Sequence, residues 1–143
     1  MIDFALVTLD GTKFNQEVYE IIVPTPDGYI AVLPHHIPLV SLVTGGVVSV
    51  RQKSADRDDQ LEIYAVTGGV INIEDNHVRV LVEEADQSDE INEQAAREAH
   101  KVAMELYATA KDQTELRKAQ VMIEHEQARL HVAELRRRKH PPR

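Results

Sequence analysis

The sequence predicts an α+β fold, with an antiparallel β-sandwich or barrel in residues 1–86 and an α-helical body in residues 87–143. All six glycines lie before residue 70, and neither Gly nor Pro occurs from residue 70 to residue 140. Residues 1–84 carry 5 basic and 13 acidic side chains, whereas residues 85–143 carry 11 of each. The hydrophobic pattern changes as well, from short β-branched runs to helical spacing. The chain therefore divides into two bodies of different chemistry.

The composition excludes several classes of protein. A chain of 143 residues is one domain or two small ones, and is too short for a large multidomain enzyme. Its net charge of −8 disfavours nonspecific binding to nucleic acid, which needs a basic surface. The absence of cysteine excludes a disulfide scaffold, a Cys-ligated metal or iron–sulfur site, and a thiolate nucleophile. The first residues lack the basic start and apolar run of a signal peptide, so we expect no export signal.

The first body consists of short runs of Val, Ile, Leu, Thr and Tyr between turn signals. Seven runs predict strands at residues 2–9, 18–25, 29–33, 46–52, 61–67, 69–73 and 77–82. The turns between them are rich in Asp, Asn, Gly and Pro. In the last run, Val78, Val80 and Val82 alternate with His77, Arg79 and Leu81, so one face of that strand is expected to be buried.

Residues 28–50 form an uncharged stretch of 23 residues, long enough to span a bilayer. Pro34, Pro38 and the pair Gly45-Gly46 interrupt it, and β-branched residues alternate with small ones near its end. A strand, a Pro-containing turn and another strand explain this pattern better than a helix does. We therefore expect no membrane helix here.

The first predicted helix has an apolar face at spacings of three and four residues, consisting of Ile91, Ala95, Ala99, Val102 and Leu106. Its expected N-cap is Ser88 or Asp89. In the second predicted helix Asp112 and Glu115 form a start resembling a capping box. Its apolar stripe, near heptad spacing, consists of Leu116, Ala119, Ile123, Leu130 and Ala133. Since residues 107–112 contain neither Gly nor Pro, a single helix of nearly fifty residues remains an alternative to a hairpin.

Two motifs resemble those of a known family. Residues 27–39, Asp-Gly-Tyr-Ile-Ala-Val-Leu-Pro-His-His-Ile-Pro-Leu, resemble the Gly-x-x-Gly-x-Leu-Pro-x-His-x-Pro-Leu signature of the epsilon subunit of F-type ATP synthases, of the bacterial and chloroplast type. Residues 64–73 are similar to its second signature, Tyr/Phe-x-x-Ser/Thr-Gly-Gly. The order and spacing of the motifs match, and the resemblance extends over the whole chain.

The resemblance implies a β-sandwich of about ten strands followed by a two-helix hairpin, on the rotor stalk of the synthase. In that family the sandwich, here residues 1–86, binds the gamma subunit and the c-ring. The helices, here residues 87–143, either fold onto the sandwich or extend toward the alpha and beta subunits, where they inhibit ATP hydrolysis. The subunit is not catalytic, in agreement with the absence of a Walker A motif or a dinucleotide-binding motif here. The alternative is a free-standing adaptor whose sandwich and helices bind some other partner.

The resemblance also suggests two sets of contact residues. The loop that approaches the c-ring corresponds to Asp27, Tyr29, His36 and Pro38, although Tyr29 replaces an acidic residue that is common in the family. The contacts with the catalytic subunits correspond to the basic residues Arg129, Arg136, Arg137, Arg138 and Lys139. Each set has a plainer explanation: prolines and His36 that shape a turn, and a basic end that complements the negative end of the helix dipole.

No cofactor is expected. Some bacterial members bind ATP on the hairpin through an Ile/Leu-Asp-x-x-Arg-Ala motif, but here Asn92 and Ala95 replace its Asp and Arg, so the sequence predicts no useful ATP site. The seven histidines show no convincing metal-ligand spacing, so no metal is expected. Nucleic acid is not an expected partner either. The resemblance implies a peripheral location on the cytoplasmic face of the bacterial plasma membrane, or the stromal face of the thylakoid, with attachment only through the complex that couples proton transport to ATP synthesis.

Overall fold

The computed structural model describes residues 1–139, and it contains ten strands followed by two helices. The strands are β1 (Ile2–Thr8), β2 (Gly11–Val18), β3 (Glu20–Thr25), β4 (Gly28–Val32), β5 (Leu39–Val43), β6 (Gly46–Arg51), β7 (Glu62–Val66), β8 (Gly69–Glu74), β9 (His77–Val82) and β10 (Ala85–Gln87). The helices are α1 (Glu93–Ala108) and α2 (Gln113–Lys139), and short 3₁₀ turns occupy Asp58–Gln60 and Ser88–Glu90. The predicted β-sandwich with a C-terminal helical hairpin is confirmed.

The strands form two five-stranded sheets. The first sheet has the order β2-β1-β9-β8-β5, and the second sheet has the order β10-β7-β6-β3-β4. The pairing is antiparallel with one exception among the described strands, because β1 and β9 are parallel. β1 pairs with its hairpin partner β2 along one edge and with β9 along the other. Because a long stretch of chain separates β1 from β9, the chain can return and place β9 parallel to β1. The predicted antiparallel sandwich therefore contains one parallel pair of strands.

Three strands had no predicted run of their own: β2, β5 and β10. In β2 only Phe14 and Val18 are buried, because β2 is an edge strand and most of its side chains are polar and exposed. The uncharged stretch of residues 28–50 forms β4, β5 and most of β6. No helix within residues 1–139 is long and apolar enough to cross a membrane.

The inner faces of the two sheets form the core. Phe4 and Phe14 pack with ring centroids 5.5 Å apart, and Phe14 meets Tyr64 edge to face at 6.4 Å. The rest of this core is almost entirely Val, Ile and Leu, including Val78, Val80 and Val82 from β9, as predicted. All of its buried side chains lie between Ile2 and Ala85. The sandwich therefore has a closed core of its own, without the helices.

The helices form a hairpin, so the alternative of one long helix is wrong. Thr109 Oγ1 donates to the Glu105 carbonyl at 3.0 Å at the end of α1. The Glu115 amide donates to Asp112 Oδ1 at 2.8 Å at the start of α2, as the capping pattern predicted. Side-chain capping on both sides of the link therefore turns the chain without Gly or Pro.

The predicted buried face of α1 is wrong in most of its positions. Ile91 is buried, but Val102 and Leu106 are 50% and 47% exposed, and the buried positions within the helix are Ala96 and Ala103. Small side chains allow the two helices to approach closely, so the alanines and not the larger residues lie inside. The N-cap also differs from the expected one, since Asn92 Oδ1 accepts from the Ala95 amide at 3.0 Å. Ser88 and Asp89 belong instead to the preceding 3₁₀ turn.

The second helix has two buried faces. Of the predicted stripe, Ala119 and Ala133 are buried, and Leu116, Ile123 and Leu130 are half-buried. A further face, which the heptad pattern does not contain, packs Ala128 and Val132 on the outer face of the second sheet. That contact is formed with Val47 of β6 and with Ile63 and Ala65 of β7. The hairpin thus lies folded against the sandwich.

Candidate partner-binding surfaces

The two outer faces of the sandwich differ in what covers them. The outer face of the second sheet lies under α2, as described above. On the outer face of the first sheet, Leu42, Val70 and Leu81 are exposed by 63%, 37% and 46%. These three side chains are directly paired across β5, β8 and β9. A contiguous exposed apolar row is the usual sign of a surface that another protein covers.

The predicted c-ring contact residues do not form one cluster. Asp27 and Tyr29 lie at the β3–β4 turn, whereas His36 and Pro38 lie in the loop between β4 and β5, at the opposite end of β4. With a rise of about 3.3 Å per residue, β4 separates the two pairs by roughly 13 Å or more. The four residues therefore stay a prediction, with two separate points of contact.

At the first point the turn is held by local bonds. Gly28 has φ 117°, a conformation that side chains disfavour, and Thr25 Oγ1 donates to its carbonyl at 2.5 Å. Asp27 is exposed. Tyr29 extends over β6, where its hydroxyl accepts from the Val47 amide at 3.4 Å, and its side chain remains largely exposed.

At the second point two neighbouring histidines shape the loop. His35 has φ 67°, and its amide donates to Asn76 Oδ1 in the β8–β9 turn at 2.7 Å. His36 Nδ1 lies 2.7 Å from the Ile37 carbonyl oxygen. Pro38 is exposed beside them. These bonds support a turn-shaping role for the histidines, alongside any contact that the loop makes.

Two of the five predicted basic contact residues join α2 to the segment at the end of the sandwich. Arg129 Nη1 donates to Glu126 at 3.2 Å, and its Nε lies 3.3 Å from Asp86 Oδ2 of β10. Arg136 Nη1 donates to the Ser88 carbonyl at 2.7 Å. Both residues thus tie α2 to the end of the sandwich, which places them away from solvent in this arrangement of the hairpin.

The remaining three are nearer to solvent. Arg137 Nη2 lies 3.2 Å from Glu93 Oε1 on α1, an oxygen that it shares with Arg97. Arg138 is exposed and pairs with Glu134 within α2. Lys139 ends α2, and its side chain lies outside the described part of the structure.

A buried histidine joins the hairpin to the sandwich. The His125 side chain is only 7% exposed, and its Nε2 lies 3.2 Å from Asp86 Oδ2 and 3.7 Å from Glu84 Oε2. One histidine with two carboxylates is a donor set that a divalent cation accepts. However, Arg129 already brings a positive charge to the same Asp86 oxygen. We interpret the cluster as an ion-pair network, and the expectation of no metal stays a prediction.

The region of the family ATP motif has a structural use here. Asn92 caps α1, and Ala95 is exposed. The groove between α1 and α2 is lined by residues of both charges, namely Glu93, Arg97, His100, His131, Glu134 and Arg137. Acidic side chains would repel the phosphates of a nucleotide. The prediction that the hairpin has no useful ATP site therefore remains open to test.

Within the described part of the chain, pKa values are displaced at two groups, and both belong to the scaffold. Burial raises the pKa of the Tyr64 hydroxyl, and the Glu62 carboxylate, 3.3 Å away, raises it further. Hydrogen bonds from Arg51 to Asp58 and to Glu20, at 2.7 and 2.8 Å, raise the pKa of its guanidinium. Neither group lies in a pocket suited to catalysis.

Sequence reasoning missed the apolar row and the network around His125. A signal for the row was present, because Leu81 shares the polar face of its strand with His77 and Arg79. The network had no such signal, since Glu84 and Asp86 are about forty residues from His125 and only the docking of α2 brings them together.

Comparison with known proteins identifies the family. Residues 1–88 match the family described as the beta-sandwich domain of the ATP synthase delta/epsilon chain. The chain is 34% identical to the chloroplastic ATP synthase epsilon chain of Adiantum capillus-veneris, over 84% of this chain and 87% of that one. It is 30% identical to the ATP synthase epsilon chain of Bacillus subtilis, over 78% and 81%.

Solved structures agree in fold. A chain of the Euglena gracilis mitochondrial ATP synthase, in a structure of OSCP, F1 and c-ring, has a TM-score of 0.74 at 22% identity, with 93% of this chain and 81% of that chain covered. A chain of the Tetrahymena thermophila central stalk and c-ring structure has a TM-score of 0.60 at 13% identity, with 89% and 96% covered. The family match over residues 1–88 and the 34% identity to a curated epsilon chain establish that the chain belongs to the ATP synthase epsilon-chain family.

Proposed function

We propose that this ATP synthase central-stalk subunit attaches to the gamma subunit and to the c-ring through its β-sandwich, and restrains ATP hydrolysis through its two helices. It has no catalytic role of its own and binds no cofactor. It acts peripherally at the cytoplasmic face of the bacterial plasma membrane, or the stromal face of the thylakoid, and is held there by the complex.

The observation that carries the proposal is the difference between the outer faces of the sandwich. The second sheet is covered by the chain's own hairpin, whereas the first sheet leaves Leu42, Val70 and Leu81 exposed in one row. A rotor subunit needs a permanent attachment surface that stays available whatever the helices do. The first-sheet face meets that need because the hairpin packs on the other sheet.

The hairpin supports the regulatory half of the proposal. Its contact with the sandwich is a small cluster of alanines and larger aliphatic side chains, separate from the inner core of the sandwich, so the hairpin can leave without opening that core. Arg129 and Arg136 serve this folded position, and they become available to acidic partners only when α2 leaves the sandwich. The same arginines can therefore stabilise either the docked or the extended hairpin, which is what a reversible inhibitor requires.

The contact with the c-ring is assigned to the β3–β4 turn with Asp27 and Tyr29, and the loop with His36 and Pro38 forms a second contact. Both segments are ordered by the bonds described above and expose side chains. The experiment for this part is exchange of Asp27 or Tyr29 for Arg, with proton-coupled ATP synthesis as the readout. His131→Arg, an exposed position on α2, is the control.

The proposal as a whole is tested by ATP hydrolysis. A catalytic head from the same source, freed of its epsilon subunit, is titrated with the full chain and with residues 1–88. The shorter chain retains the complete inner core and is expected to fold, which circular dichroism checks. We expect both chains to bind and only the full chain to inhibit.

Other results separate the parts of the proposal. If both chains bind and neither inhibits, the subunit is a structural coupler and the regulatory half is wrong. If neither chain binds, attachment through the sandwich is wrong, and the free-standing adaptor becomes the better explanation.

A further inference from the structure

The outer face of the first sheet changes from apolar to acidic along the strand direction. Its upper row is apolar, and runs through directly paired residues of four strands: Val7, Leu81, Val70 and Leu42. Two residues along each strand lies a mixed middle row: Asn15, Ala5, Arg79, Asn72 and Val40. Two residues further lies an acidic lower row: Glu17, Asp3, His77 and Glu74.

The acidic row is unfavourable for the isolated chain. Asp3 and Glu17 are direct antiparallel partners, and like charges in that position repel. His77 Nδ1 lies 3.2 Å from Asp3 Oδ2 within the row. Asp75 continues the negative charge in the turn beyond Glu74. A surface with this arrangement is complementary to a partner that supplies positive charge.

The geometry sets the spacing that such a partner needs. Successive rows are two residues apart along a strand, about 6.6 Å, so the apolar and acidic rows lie roughly 13 Å apart. A helix with a rise of about 1.5 Å per residue covers that distance in about nine residues. A shallow trough over β2, β1, β9 and β8 leads from the middle row into the acidic row.

We propose that this face receives one protein segment of fixed polarity, with apolar side chains on the apolar row and Lys or Arg side chains roughly 13 Å away on the acidic row. This inference rests on the proposed function, since the segment belongs to the gamma subunit, which the sandwich is proposed to bind. The gradient gives the complex its orientation. A segment laid on the face in the reverse direction sets its basic side chains on Leu42, Val70 and Leu81, and leaves the acidic row unpaired.

The test uses the full chain and an immobilised catalytic head that contains gamma and lacks epsilon. Binding is measured at about 0.05 M and about 0.5 M salt. The variant combines Asp3→Asn, Glu17→Gln and Glu74→Gln. The matched control combines Asp59→Asn, Glu98→Gln and Glu105→Gln, which are exposed acids outside this face.

We expect the row variant to bind about tenfold more weakly than the native chain at low salt, and to lose most of the salt dependence that the native chain shows. The control should keep both the affinity and the salt dependence. If the row variant binds like the native chain with the same salt dependence, the inference is wrong and the proposed function stands. If the native chain does not bind the head at all, both are wrong.

Discussion

The two outer faces of the sandwich are both formed by alternate side chains along the strands, but one face is covered and the other is exposed. On the second sheet, Val47, Ile63 and Ala65 lie beneath α2, which contributes both alanines and larger aliphatic side chains to the contact. On the first sheet, Leu42, Val70 and Leu81 occupy equivalent outward positions and are exposed. Contact with α2 removes the first set from water, whereas the second set retains exposed apolar area for a partner. The difference supports the proposal that one interface is internal and releasable and that the other face is for attachment.

The largest expected effect comes from damage to the first sheet itself. A Cβ at Gly69 would overlap the carbonyl oxygen of Leu81, so Gly69→Ala must push β8 away from β9. We expect a loss of about 3 kcal/mol or more in the free energy of unfolding. Gly45→Ala is the control, because its Cβ meets Glu124 at an ordinary 3.4 Å. Urea denaturation of both variants checks this, and equal stability of the two would contradict it.

The next largest effect is expected from a variant that disrupts only the contact between α2 and the second sheet. Val132→Asp places a carboxylate in the contact between α2 and the second sheet, where an unpaired charge costs several kcal/mol. Undocking of the hairpin avoids most of that cost, so we expect release of the helices from a sandwich that stays folded. Hydrogen exchange should rise in β6, β7 and the helices and remain slow in β1 and β9.

Val121→Asp serves as the control for this variant. Val121 lies on the same helix and is largely exposed, so its replacement should leave the hairpin docked. Full retention of docking in Val132→Asp would show that the covered face does not hold the hairpin.

A smaller effect separates two neighbouring arginines. Arg136 donates to the Ser88 carbonyl at 2.7 Å, whereas Arg138 is exposed and pairs with Glu134 of its own helix. We expect Arg136→Met to weaken hairpin docking by about 1.5 kcal/mol, and Arg138→Met by at most about 0.3 kcal/mol. The population of docked hairpin, measured by fluorine nuclear magnetic resonance, distinguishes them. A larger loss of docking in Arg138→Met than in Arg136→Met would contradict this prediction.

The uncovered face should tolerate change in the isolated chain. Leu81→Ser removes an exposed side chain, so the free energy of unfolding should change by no more than about 0.5 kcal/mol. Binding to the epsilon-free catalytic head should nevertheless weaken, because the apolar row is then interrupted. A loss of stability with unchanged binding would assign Leu81 to the fold and not to attachment.

The smallest expected effect is that of added ATP, for which we predict no specific binding. Asn92 and Ala95 replace the charged residues of the family ATP motif, so millimolar ATP should produce no shifts confined to residues 91–129 in a nuclear magnetic resonance titration. Such shifts would reveal a nucleotide site in the groove between the helices.

The sequence predicted the sandwich and the hairpin because strand alternation and helix capping are local. Val78, Val80 and Val82 were assigned to the core from alternation alone, and Asp112 was assigned as a cap from its spacing to Glu115. The buried face of α1 was not predictable in the same way. Hydrophobicity favoured Val102 and Leu106, but the close approach of two helices selected Ala96 and Ala103.

The candidate surfaces were less predictable because they depend on register and docking. The apolar row requires that Leu42, Val70 and Leu81 be paired across three strands, which no local pattern specifies. The contact of His125 with Asp86 requires α2 to lie on the second sheet. Asp27 and Tyr29 are separated from His36 and Pro38 because β4 lies between them. The motif includes β4, but its letters do not show where that strand begins and ends.

The central claim is that attachment belongs to the sandwich and regulation to release of the hairpin. The chain has no cysteine, and a Cβ at position 45 lies 3.4 Å from Glu124 Cβ, close to the roughly 3.5–4.5 Å of a disulfide. The double variant Gly45→Cys and Glu124→Cys can therefore lock α2 to the sandwich when oxidised. Each single variant serves as a control for oxidation.

ATP hydrolysis by the epsilon-free catalytic head is measured with the oxidised and the reduced double variant. We predict that both forms bind equally, that the reduced form inhibits, and that the oxidised form does not. Equal inhibition by the oxidised form would contradict the account, because it would show that the helices regulate without leaving the sandwich.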